Sequence, residues 1–109
     1  MNLLDTEYST EFDDLRKNRV AVSYYKYGSA RINFKRGYVK AIASCMKCIK
    51  KYQETHNTEY LTDAANYLMF EFMFPQFSDA YFKATDSNES AGIEGISVNE
   101  MEQLKMEEL

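Results

Sequence analysis

The 109-residue sequence holds one histidine, one proline, four glycines and two cysteines, and between residues 15 and 53 it has no acid at all. Each scarcity narrows the field. A single histidine at the end of a predicted helix supports no Ser–His–Asp grouping. The first residues, Met1-Asn2-Leu3-Leu4-Asp5, do not read as a signal peptide, so the two cysteines predict reduced thiols and a cytoplasmic location, not a disulfide scaffold. No apolar run approaches the ~18 residues of a membrane span, so no membrane partner is expected. With Pro75 the only proline and Gly28, Gly37, Gly92 and Gly95 the other breakers, long stretches are left free for helix. There are no internal repeats, and no catalytic motif stands out.

What is present is 45% hydrophobic and 28% charged residues, the make-up of one small soluble domain. Its net charge of −4 conceals three unequal blocks. Residues 1–14 carry five acids and no base, residues 15–53 eleven Lys or Arg and no acid, and residues 54–109 twelve acids against Lys83 and Lys105.

The breakers predict an all-α fold: a three-helix core, a wrapped aromatic segment and a short acidic C-terminal helix. As one domain, the chain divides into a core at 1–84, a loop at 85–96 and a terminal helix at 97–109. The first helix is expected from Asp5 to Tyr27, ending at Gly28, with Leu4, Tyr8, Leu15 and Val22 on one stripe. The second, Tyr38 to Glu54, places Ala41, Ile42, Cys45, Met46, Cys48, Ile49 and Tyr52 on one arc and Lys40, Lys47, Lys50 and Lys51 opposite. Asn57 or Thr58 caps the third helix, Glu59 to Phe74. From Tyr67 onward that helix is apolar nearly all round, which calls for cover on every side by the chain or by a partner, a second copy included. Phe77, Tyr81 and Phe82 are expected to fold back over the core. Ser97 to Glu100 fits a capping box that opens the acidic helix.

Four groups of residues carry candidate chemistry. The basic block interleaves Lys26, Arg31, Lys35, Arg36, Lys47 and Lys50 with Tyr24, Tyr27 and Phe34, a composition that suits phosphates and stacked bases. Alternatively, the acidic ends lie against this surface and cancel it. The acidic tail, with Glu89, Glu94, Glu100, Glu102, Glu107 and Glu108, can imitate the charge of a nucleic acid; equally, it can serve solubility alone. Cys45 and Cys48 form a lone CxxC near His56. A closed zinc site needs four ligands, and both cysteines fall on an apolar helical arc, so core packing is the expectation and no cofactor is called for. Glu59, Asp63, Asn66 and Glu71 are the one acidic constellation on a single element, able either to hold Mg²⁺ over a nucleotide's phosphates or to form a solvated or hydrogen-bonded face.

Two segments, NTEYLTDAANYLMFEFMFP (57–75) and FKATDSNESAG (82–92), together with SYYKYG (23–28), resemble a family of small proteins of unassigned activity. These are carried by bacteriophages and integrative mobile elements of Gram-positive bacteria. The resemblance implies a role in regulation or in disabling host defence, anti-CRISPR proteins included. A weaker resemblance is to the MazG-like all-α NTP pyrophosphohydrolases, in which a basic amphipathic helix, an acidic turn and an apolar helix also follow a Tyr-Gly segment. The ExxE half of that superfamily's metal motif is missing, and Glu7/Glu11 and Glu59/Asp63 stand four residues apart instead. The expectation is thus a non-enzymatic, stoichiometric binder of a host protein or nucleoprotein. The alternatives are a nucleotide-binding relative of the pyrophosphohydrolases and a small nucleic-acid-binding regulator.

Overall fold

A computed structural model describes residues 2–108, the side chain of Glu108 excepted, and is helical without strands among them. The expected first helix is broken in two, α1 (Leu4–Glu7) and α2 (Thr10–Tyr27). The break falls at Tyr8 and Ser9. Ser9 takes an extended backbone conformation, and its Oγ accepts a hydrogen bond from the Phe12 N–H at 3.0 Å, restarting the helix. Across the break the Tyr8 hydroxyl donates to the Asp13 carboxylate. That bond, with Arg16 alongside, holds Asp13 below its ordinary range. Gly28 closes α2 at φ +81°, ψ −161°, a region open only to glycine, and its N–H donates to the Tyr24 carbonyl at 2.9 Å.

A short helix, α3 (Ala30–Lys35), follows where none is expected from the sequence. Six residues are too few to display a helical period. The Asn33 amide fixes its approach by donating to the Tyr27 carbonyl at 3.0 Å. The amphipathic helix α4 (Ala41–Thr55) begins three residues later than expected, leaving Tyr38 outside it. His56 in the left-handed conformation ends α4, and Asn57 Oδ1 accepts from the Glu59 N–H at 3.0 Å to open α5 (Glu59–Met73). Pro75 stands just beyond.

The short connection makes α4 and α5 an antiparallel hairpin, the largest helix contact in the molecule. α2 and α3 also pack on α5, so α5 is the central element. The apolar core consists of Ala41 and Cys45 from α4 with Ala64 and Phe70 from α5, joined by buried Thr62 and Asn66. Phe34 of α3 stacks on Phe70 with ring centroids 4.9 Å apart.

Three sequence expectations meet a different outcome here. The stripe expected on the first helix, Leu4, Tyr8, Leu15 and Val22, faces water, whereas Arg16, Arg19, Val20 and Ser23 of α2 turn inward. The second helix divides its apolar arc. Ala41 and Cys45 are buried, Cys48 and Tyr52 half-buried, and Ile42, Met46 and Ile49 exposed. Beyond Pro75, every residue to Glu107 is exposed, Phe77, Tyr81 and Phe82 included, so these aromatics cover nothing within the chain. Asp86 caps a single 3-10 turn (Ser87–Glu89), and Ser97 Oγ accepts from the Glu100 N–H at 3.1 Å to start α6 (Val98–Glu108). The radius of gyration, 17.3 Å, exceeds the ~13 Å of a compact chain of this length, as an unpacked arm requires.

Candidate functional site

The most organised polar arrangement lies where α2 crosses α5. Arg19 donates through Nε to Asp63 Oδ1 at 3.2 Å, and its NH2 group lies 3.4 Å from Glu59 Oε1. Asp63 and Glu59, four residues apart on one α5 face, are therefore clamped by a single guanidinium. The Asp63 hydrogen bond and charge strengthen that guanidinium's hold on its proton further. One turn on, the buried Asn66 amide donates to the Arg16 carbonyl at 2.9 Å, while its Oδ1 is buried without a partner. Arg16 reaches Met69 Sδ and pairs with Asp13.

Beside this cluster opens a cavity of about 240 Å³, walled by Arg19, Ser23, Tyr27, Asp63 and Asn66 on one side and by Phe34, Tyr67 and Phe70 on the other. Burial raises the Tyr67 hydroxyl's pKa, so it stays a neutral donor. The part of this lining that comes from α3 and its flanks, Gly28, Ala30, Asn33, Phe34 and Val39, escapes sequence reasoning. Phe34, grouped with the basic block by its neighbours, belongs instead to the core stack against Phe70 and Tyr67, half-buried at the cavity wall and apart from the exposed lysines.

The predicted acidic constellation does not converge. Glu59 and Asp63 meet at Arg19, Asn66 lies inward, and Glu71 Oε2 accepts from the Gln76 N–H at 2.9 Å, tying down the chain after Pro75. Among the described residues, no three His, Cys, Asp or Glu side chains group so as to hold a metal ion. Cys45 and Cys48 are free thiols turned towards α5, and His56 sits in the exposed turn. Burial raises both thiol pKa values, and Asp63 adds to the rise at Cys48. Both thiols are thus expected to be alkylated by iodoacetamide at least ~10-fold more slowly in the folded protein than in urea at pH 8. Since folding keeps these protons bound, stability should fall as pH rises above the unfolded thiol value of about 8.5. Thermal melts across that range would check the sign.

The blocks meet at the α2–α5 crossing, where Arg16 pairs with Asp13 and Arg19 with Glu59 and Asp63, but the acidic C-terminal arm stays apart. Among the described residues, the ion pairs are Arg16–Asp13, Arg19–Glu59, Arg19–Asp63 and Lys83–Glu89, and none joins the acidic C-terminal arm to the basic block. Lys26, Arg31, Lys35, Arg36, Lys47 and Lys50 are all exposed, as are Tyr24 and Tyr27, with the Lys26 ammonium 5.7 Å from the Tyr27 ring centroid. On the arm, Glu89, Glu94, Glu100, Glu102 and Glu107 are exposed; the side chain of Glu108 lies outside the described residues. No described helix is long and apolar enough to cross a membrane. Compared with protein-family models, curated proteins and solved structures, the chain matches none.

Proposed function

We propose that this protein acts by stoichiometric binding and that its acidic arm occupies the nucleic-acid groove of a host nucleoprotein, most concretely as an anti-CRISPR-like inhibitor. The observation that carries the reading is the exposure of residues 86–107, whose carboxylates make no ion pair with the basic block among the described residues. A carboxylate series displayed on an arm presents to a phosphate-binding groove the charge that the groove is built to receive. The phage and mobile-element resemblance supports the choice of target. The test measures target-DNA binding by host CRISPR effector ribonucleoproteins while this protein is titrated in. Inhibition should reach its endpoint near equimolar protein, and Glu100→Lys/Glu102→Lys/Glu107→Lys should weaken it at least ~100-fold, since rim and groove charges act together. Unchanged DNA binding, or inhibition insensitive to the charge reversal, would refute the reading.

A second reading is favoured by the cavity between Arg19 and Phe34: a nucleotide-sized ligand held by aromatic walls and the Arg19–Asp63 pair. Calorimetric titration with NTPs and Mg²⁺ tests it. Heats abolished by Asp63→Ala would support it, and an absence of binding heat would end it.

A further inference from the structure

We propose that two copies of this chain pair through the open side of the α4–α5 hairpin, each covering the apolar face that the other leaves in water. The reasoning begins with area. A compact protein of 12.7 kDa exposes about 6,200 Å², yet this chain exposes 9627 Å². Part of that excess of roughly 3,400 Å² belongs to the extended arm, and a stable interface needs only ~800 Å² per partner. Its core is correspondingly thin. No described side chain is completely buried, and three of the four buried apolar residues are alanine or cysteine.

Helical geometry locates the uncovered face. On α5, the polar contacts of Glu59, Asp63 and Asn66 mark the side towards α2, and Phe70 and Tyr67 mark the side towards α3. Ala64, buried, lies towards α4. The remaining side carries Leu61, Ala65, Leu68 and Phe72, spaced by four, three and four residues, the interval of a packing seam. On α4, Ile42, Met46 and Ile49 repeat the same spacing. Because the two helices run antiparallel, residues advancing in one rotational sense from the shared interface emerge on the same side of both. The two stripes therefore form one face, with Met46, Leu68 and Phe72 exposed to 65, 53 and 74%.

The occupant follows from charge and shape. None of these seven residues is ionisable, so the face can meet its own copy without opposing like charges, whereas Lys40, Lys47 and Lys51 point away from it. Two hairpins joined about a two-fold axis make a four-helix layer, which gives α5 the cover that its all-round apolar second half demands. The pairing does not depend on what the acidic arm binds.

Light scattering or sedimentation equilibrium on the full chain at roughly 10 µM tests the pairing. The expected mass is twice 12.7 kDa. Leu68→Glu/Phe72→Glu should raise the dissociation constant at least ~100-fold, returning the monomer with its helical circular dichroism intact. Tyr25→Glu, exposed on α2, should leave the dimer in place. If the double variant loses its helix, Met46→Glu on α4 makes the same test. A monomeric wild type, or a dimer that survives every charge placed on this face, overturns the proposal.

Discussion

Phe70→Ala is expected to cost about 3–5 kcal/mol, enough to leave much of the protein unfolded at ambient temperature. The magnitude follows from how little else forms the interior. Phe70 is the one large side chain among the four buried apolar residues, is 8% exposed, and carries the stack with Phe34 that anchors α3 to α5. Removing the ring takes away its own burial and also leaves a void bordered by Phe34, Tyr67 and the cavity lining. Nothing larger than alanine or cysteine stands elsewhere in the buried apolar set to take over the packing. Urea denaturation followed by circular dichroism reads the loss, with Tyr25→Ala, at an 86% exposed position, as the comparison expected to stay within about 0.5 kcal/mol. A Phe70→Ala loss below about 1 kcal/mol would mean that the core lies elsewhere.

Asn66→Asp comes next, at about 2–4 kcal/mol near neutral pH. The change is nearly isosteric, so the effect is electrostatic. Asn66 is 6% exposed, donates to the Arg16 carbonyl, and has its Oδ1 already unpaired. A carboxylate there would face that carbonyl oxygen with another oxygen, one turn from Asp63. Burial would raise the new carboxyl's pKa above its unfolded value of about 3.9. Such a group carries no ionisation penalty below the unfolded value, and the penalty grows as pH rises towards the folded value. Denaturation midpoints of the variant should therefore approach wild type near pH 3 to 4 and separate from it above. Asn66→Ala, which loses a single hydrogen bond, should cost about 1 kcal/mol with no such slope. A flat pH profile for Asn66→Asp would show that the site admits water.

These two residues also show where sequence reasoning reached and where it stopped. The helix class, the end of α2 at Gly28, the α4–α5 turn and the opening of α6 at Ser97 follow from local rules: periodicity, caps and glycine conformation act within a few residues. The same rules miss α3, too short to show a period, and place no break at Ser9, because the Tyr8–Asp13 contact joins residues that a continuous helix would hold differently. The acidic constellation was legible as a set of residue types on α5, but its partner was not. That Arg19 would take both Glu59 and Asp63 depends on a helix forty residues away in sequence.

The sequence by itself determined the all-α class, most helix ends and the separation of charge into three blocks, since each is a property of neighbouring residues. Only the tertiary structure decided which stripe of each helix is turned inward. α2 presents Arg16 and Arg19 to α5 and leaves Leu15 and Val22 in water, while α4 buries Ala41 and Cys45 and leaves Met46 out. Apolar periodicity says that a face wants cover without saying what covers it, because burial is fixed by which helices meet. The same holds for charge. Order along the chain gives the blocks, but which opposite charges meet depends on packing: α5 brings Glu59 and Asp63 to Arg19, whereas the carboxylates of the C-terminal arm make no ion pair with the basic block among the described residues.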